Sequence, residues 1–285
     1  MILPEPDSFL SGDAGDVTAP RRRIKRTLGE LAFGLADRAA GTRRTAARLA
    51  ARQDPQRVLV LGIYRPRPLL VDALDALHSR RHQVRLALGA TEESDPLLAR
   101  WTVADGLRGG KFENLNRLRE RTPGLDPDWT LVVDDDVRLP PHFLDRFLAL
   151  AGAFDLQLAQ PAQTLRSHSA WKVARRRPAS LVRQTRFVEI GPVTAFGSEA
   201  AAELLPFPEL HFGWGLDLHW AALAGQRGWR LGVVDAVPVR HEGLPVASGY
   251  SRDEAVAEAQ QFLSGRPYLP AARAGEVLAT HRRAG

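Results

Sequence analysis

The chain has 285 residues, 44% of them hydrophobic, a globular composition that allows one large domain or two modest ones. It contains no cysteine, which excludes disulfides, thiolate metal sites and cysteine nucleophiles, and no stretch approaches the ~18 uncharged apolar residues of a membrane-spanning helix. The net charge of +6 is confined to one segment: residues 21–52 hold ten Arg or Lys against Glu30 and Asp37, a net +8, and the rest of the chain sums to −2, so no nucleic-acid-binding body is expected.

The N-terminal MILPEPDSFLSGD has no basic stretch ahead of an apolar one, so no secretory leader is expected and a cytoplasmic protein is the default. Residues 1–20, rich in Pro, Gly and Asp, are expected to be disordered. From Ile24, apolar residues recur at Leu28, Leu31 and Leu35, a helical stripe flanked by Arg, and a second basic helix is expected over 43–52. This arm, residues 1–56, reads either as solvated helices packed on the body or as a basic amphipathic segment on an anionic membrane surface.

At Arg57 the pattern changes. RVLVLGIYRP is a buried strand closed by proline; Leu70, Leu74 and Leu77 form a helical stripe; QVRLALGA alternates as a second strand and WTVADG as a third. A turn with Gly106, Gly109 and Gly110 then leads into the helical KFENLNRLRER, whose Lys111 stands at the helix N-terminus and is one of only three lysines among 39 basic residues. WTLVVDDD is a fourth strand. Strands alternating with helices predict an α/β layer with a largely parallel central sheet, a Rossmann-like architecture whose ligands bind at the carboxyl ends of the strands. Asp134, Asp135 and Asp136 fall at such an end. They fit a solvated strand end that helps cap a helix near Pro141, or a site where hard oxygens hold Mn²⁺ or Mg²⁺ against substrate phosphates.

Three later stretches complete the pattern. QPAQTLRSHSAWKVARRRP, residues 160–178, reads as a polar loop over the site, with His168, Trp171 and Lys172 as contacts. In TRFVEIGPVTAFGSEAA, residues 185–201, Gly191-Pro192 predicts a turn, and Phe187 and Phe196 serve either as ligand-stacking faces or as core. HFGWGLDLHW places Trp214 and Gly215 in a shaped loop and Asp217 at a helix start, where it fits a dipole-stabilised carboxylate or a general base. RLGVVDAVPVRHEG is a late strand ending at His241, an imidazole that Mn²⁺ accepts as a ligand.

Taken in order, VLVLGIYRP, GGKFENLN, VVDDDV, GWGLDLHW, GQRGWRLGVV and VRHEG resemble the GT-A fold nucleotide-sugar glycosyltransferases, above all the large family-two group. The resemblance covers about residues 57–245, with 246–285 left as a C-terminal helical extension. It implies a metal-dependent, hexosyltransferase-like enzyme that moves a sugar from a nucleotide-sugar donor to a hydroxyl of a glycan, lipid or small molecule. It implies Asp134 and Asp136 as the Asp-x-Asp (DXD) pair, with Asp136 and His241 on Mn²⁺ or Mg²⁺. Lys111, Asn116, Asp134 and Asp135 would hold the donor, Trp214, Gly215 and Glu189 would face the acceptor, and Asp217 would be the base of an inverting reaction. Where the family carries Asp-Asp or Asp-Gly-Ser after strand two, this chain has ALGATEES, so Glu92, Glu93 and Asp105 are all open as base-recognition residues, and the usual Glu-Asp base pair is here Leu216-Asp217. A nucleotidyltransferase would share the core and carboxylates but needs a Gly-rich basic loop where LGIYRPRP stands. A non-catalytic membrane- or partner-binding scaffold would need neither the Asp triplet nor Asp217.

Overall fold

A computed structural model describes residues 3–11, 20–66, 68–242 and 251–284. Its organising strand is β1 (Arg57–Tyr64). Val58 and Val60 enter one core while Leu59 and Leu61 enter another, so the strand is buried on both faces, as its unbroken apolar run requires. On one side β1 pairs in parallel with β2 (Gln83–Ala90), which carries β3 (Thr102–Ala104); on the other it pairs in parallel with β4 (Trp129–Val133), with Leu61 opposite Val132. The half-sheet β3-β2-β1-β4 is therefore parallel, as the alternating pattern predicted.

Beyond β4 the sheet turns mixed. β8 (Val193–Gly197) runs antiparallel to both β4 and β6 (Leu158–Gln163), and β6 is parallel to β9 (Leu231–His241). β7 (Val182–Thr185) and β10 (Val277–His281) continue to the far edge, giving the order β10-β7-β9-β6-β8-β4-β1-β2-β3. Across β7 and β9 the buried Arg183 guanidinium grips Asp235 by two hydrogen bonds of 2.8 and 2.9 Å and donates to the Val173 and Arg175 carbonyls, so this interior ion pair is fully partnered.

Helices α2 (Thr42–Arg52), α3 (Leu70–Leu77) and α5 (Phe143–Ala153) share one core; α4 (Lys111–Glu120), α6 (Ser198–Leu204), α7 (Leu216–Arg227) and α8 (Arg252–Leu263) share the other. Each fully buried Leu or Phe in these layers stabilises the fold by about 1.5–3 kcal/mol. α1 (Pro20–Ala40) lies outside both clusters and is attached through polar contacts. Arg176 donates to Glu30 at 2.5 Å and also to Asp37, and the Ala179 N–H donates to Asp37 at 2.8 Å.

The structure corrects three sequence-based expectations and decides between the alternatives of a fourth. Residues 160–178 are not one loop over the site. They open with the end of β6, whose Gln160 and Gln163 are buried, because a neighbouring strand on each side satisfies the backbone of a polar-looking segment. Phe187 and Phe196 are fully buried, with Phe187 against Trp171 and Phe196 against Phe207 and Trp220, so neither offers a sugar-stacking face. Residues 3–11 are ordered: Phe9 is buried, Ser8 Oγ bonds Tyr268 Oη at 3.0 Å, and Gln260 donates to the Pro4 carbonyl. The C-terminal extension is not purely helical, since β10 joins the sheet edge antiparallel to β7. The stretch from residue 243 to 250, placed partly in the catalytic segment and partly in the extension, lies outside the described residues.

Candidate active site

β1 and β4 are parallel neighbours whose chains depart in opposite directions, β1 towards β2 and β4 towards the mixed half, so the crevice past their ends is a topological switch point. Asp134, Asp135 and Asp136 follow β4 at that crevice and are met by Lys111, Arg65 and His241, with Arg65 also reaching Asp136 Oδ2 at 3.3 Å. Asp134 accepts from Lys111 Nζ at 2.5 Å, and its own N–H donates to the Pro192 carbonyl at 2.9 Å. Lys111 reaches it from the first residue of α4, a helix start fixed by the Gly110 N–H donating to Glu113 at 3.0 Å. Gly191 lies opposite, where an added Cβ would stand 2.9 Å from Asp134 Oδ2.

Asp135 is claimed by Arg65, the residue directly after β1. Its backbone N–H and Nε donate to Oδ2 at 2.8 and 2.9 Å, and Nη2 donates to Oδ1 at 2.6 Å. Parallel pairing of β1 with β4 brings these two strand exits side by side. Asp136 is held by a different device. β5 (Val137–Arg138), directly after it, pairs antiparallel with the end of β9, and Val137 sits opposite His241. His241 Nε2 then lies 3.1 Å from Asp136 Oδ1, and His241 Nδ1 lies 3.1 Å from the His168 carbonyl.

Asp134, Asp136 and His241 each present a ligand atom within 4.8 Å of the others. Asp136 Oδ1 is buried and, among the described residues, has no well-formed hydrogen bond, although His241 Nε2 lies 3.1 Å away. An orphaned buried carboxylate oxygen beside an imidazole is costly unless a cation completes the shell, and two carboxylates with one imidazole suit Mn²⁺ and Mg²⁺. The residues therefore fit a divalent ion. Burial works against ionisation of Asp136, but the neighbouring His241, Arg65 and Lys111 outweigh it and hold its pKa below the usual range. Burial likewise opposes the His241 charge, yet Asp136 and Asp134 raise its pKa to about 9.

A second pair of carboxylates has the opposite surroundings. Gly215, at φ 82°, turns the chain into α7, and Asp217 sits buried in that helix's first turn, accepting from the Leu218 N–H at 2.9 Å. Burial raises its pKa to about 7, with backbone N–H groups of Leu218 and Ile190 only partly offsetting this. Glu189 accepts from Gln163 Nε2 at 2.9 Å, and its N–H donates to Gln160 at 2.7 Å. Burial, and then repulsion from Asp217, push Glu189 up to about 8. Both carboxyls are thus held well above the usual carboxylate range, as a general base working near neutral pH requires.

The other candidates fall elsewhere. Asn116 does not join the cluster: both ends of its amide bind the Phe207 main chain at 2.8 Å, so it ties α4 to the loop after α6. Trp214 and Gly215 lie in the loop that delivers Asp217, whose start is secured by Glu258 of α8 accepting the N–H groups of His211, Phe212 and Gly213. Glu92, Glu93 and Asp105 are exposed in the loops after β2 and β3. Sequence reasoning missed Arg65 and Gln163. Arg65 was legible in principle, as a cation one residue past the strand that neighbours WTLVVDDD; Gln163 carried no signal, being hidden in a segment read as loop.

No protein-family model matches the chain, and no curated protein sequence does. Solved structures do. GalNAc-T7 with UDP, GalNAc and Mn²⁺ superposes with a TM-score of 0.53 at 12% identity over 70% of this chain, and the chain spans only 46% of that structure's length. A mycobacterial protein matches with a TM-score of 0.50, 16% identity and coverage of 78% of this chain and 80% of its own. S. aureus TarS 1-349 in complex with UDP-GlcNAc matches with a TM-score of 0.50, 13% identity and coverage of 74% and 66%. At these identities the likeness establishes the fold: this is a GT-A type α/β layer.

Proposed function

We propose that this chain is a metal-dependent glycosyltransferase that moves a sugar from a nucleotide-sugar donor to an acceptor hydroxyl with inversion, acting in the cytoplasm. The observation that carries the reading is the Asp134, Asp136 and His241 cluster at the sheet's switch point, with an orphaned carboxylate oxygen aimed into it. The structures that share the fold include one with UDP and Mn²⁺ and one with UDP-GlcNAc, which makes a UDP-sugar the first donor to test.

The chemistry follows from the two carboxylate environments. Asp134, Asp136 and His241 would hold a Mn²⁺ or Mg²⁺, which would supply positive charge for a diphosphate leaving group. Lys111 and Arg65 add fixed cations at the same crevice, where charge develops as the donor bond breaks. Asp217 takes the proton of the acceptor hydroxyl, and its pKa of about 7 lets it be ionised and basic in neutral solution. The freed oxygen attacks the anomeric carbon from the face opposite the diphosphate, which departs with the bonding electron pair, so configuration inverts. Glu189 is a neutral hydrogen-bonding neighbour on the acceptor side while Asp217 is ionised, since repulsion prevents both from losing their protons together. Asp135, locked by Arg65, shapes the donor crevice. The acceptor is a hydroxyl of a glycan, a lipid or a small molecule.

Thermal unfolding against UDP, GDP, dTDP and CMP, with and without Mn²⁺, tests the site in wild type and in Asp136→Ala. UDP at a hundredfold excess over Kd should stabilise the wild type by about 2.7 kcal/mol. That shift should need both Mn²⁺ and Asp136. Absence of a shift with every nucleotide sinks the reading.

A further inference from the structure

α1 is built inside out. Its apolar stripe, Ile24, Leu28, Leu31 and Leu35, is exposed at 63, 61, 63 and 62%, while its two acids face the protein. Glu30 accepts from the Leu165 N–H and from Arg176; Asp37, almost fully buried, accepts from Arg176 and the Ala179 N–H. A helix that buries carboxylates and exposes a row of leucines reverses the amphipathic rule, and the ion pairs leave no freedom to roll it over.

The exposed side is also uniform in charge. Lys25 and Arg38 on α1, with Arg43, Arg44, Arg48 and Arg52 on α2, are all exposed, and among the described residues none pairs with a carboxylate. With both acids turned inward, the exposed side chains described on α1 are apolar or cationic, and α2 follows directly with its own exposed arginines. That combination suits the boundary between acyl chains and anionic headgroups, where leucines enter the apolar layer and cations meet lipid phosphates. Two copies pairing through the same stripe would set Lys25 and Arg38 of each copy near like charges, which disfavours self-association. No helix among the described residues is long and apolar enough to cross a bilayer, so the contact is peripheral.

We propose that α1 and α2 dock this chain flat on an anionic lipid bilayer through the stripe Ile24, Leu28, Leu31, Leu35 and its flanking cations. The contact stands independently of the catalytic reading, because none of these residues belongs to the site.

The test is co-sedimentation of the purified full chain with vesicles of phosphatidylcholine alone or with added phosphatidylglycerol. Two triple variants accompany the wild type: Leu28→Gln, Leu31→Gln, Leu35→Gln, and Arg43→Gln, Arg44→Gln, Arg48→Gln. These positions are exposed, so circular dichroism and melting should match the wild type. The wild type should partition onto anionic vesicles, and each variant should partition about tenfold less, with added salt weakening the wild type further. Equal partition onto neutral vesicles, or a leucine variant that binds like the wild type, overturns the proposal. So does a wild type that ignores vesicles but forms a dimer lost in the leucine variant, which would assign the stripe to a second copy.

Discussion

Two groups of carboxylates serve one candidate site, and they are opposites. Asp134, Asp135 and Asp136 are met by Lys111, Arg65 and His241, and even where burial opposes ionisation, as at Asp136, the net effect keeps the acid charged. Asp217 and Glu189 have no cation within hydrogen-bonding reach among the described residues and rise to about 7 and 8. The residue type is the same and only the surroundings differ: cations beside one group, burial around the other. Asp235 shows the third outcome, a buried carboxylate matched by Arg183 and given only a structural task.

The largest test of this division is Asp217→Asn. The amide keeps the shape and can still accept the Leu218 N–H, but it cannot take a proton, so transfer should fall about 10²- to 10⁴-fold in kcat while the Mn²⁺-dependent UDP shift survives. Asp136→Ala should do the reverse to binding and abolish that shift. If Asp217→Asn retained activity, the base would lie elsewhere, with Glu189→Gln the next variant to assay.

The same substitution carries a stability prediction of opposite sign. Raised carboxylate pKa values mean the folded chain binds protons that the unfolded chain has already released above about pH 4. Stability is therefore lost as pH rises from about 4 through 7, and the full penalty is present above the folded pKa. Asp217→Asn removes its share. The variant should be more stable than the wild type by on the order of 3 kcal/mol at pH 8.5, with the gap closing towards pH 4, read from urea unfolding at each pH. A variant less stable than the wild type at pH 8.5 would show that Asp217 is not desolvated as its burial implies.

Much of this was legible in the chain before its structure, for reasons visible in particular residues. The run Val58 to Leu61 and the run Trp129 to Val133 are continuous and apolar because parallel strands covered on both faces leave no side for water, so the parallel half-sheet was readable. The triplet at the end of β4, Lys111 at a helix start and Asp217 after a glycine loop are local signals and were found. What failed was non-local. β6 and its Gln160 and Gln163 look like loop because their hydrogen bonds are supplied by β8, β9 and Glu189, far away in sequence. Asn116 looked like a donor contact, yet it is consumed by Phe207, ninety-one residues on. The α1 stripe was legible as a periodicity, but the direction it faces was set by Arg176, which no local pattern announces.

The finest cut falls inside the triplet: Arg65 reaches both Asp135 and Asp136, but only Asp136 also meets His241. Arg65 grips Asp135 with its guanidinium, half-exposed to water, and with its main-chain N–H, which no side-chain change removes. Truncation to Arg65→Gln therefore leaves Asp135 one donor and should cost only about 1–2 kcal/mol. A double-mutant cycle with Asp135→Asn should return a coupling of about 1 kcal/mol, measured by urea unfolding. If Arg65 acts mainly by holding Asp135, the nucleotide-dependent melting shift survives in Arg65→Gln. If the guanidinium leaves Asp135 to meet the donor diphosphate, the shift shrinks although the coupling stays small, and Arg65 then belongs with Lys111 among the groups that bind the donor.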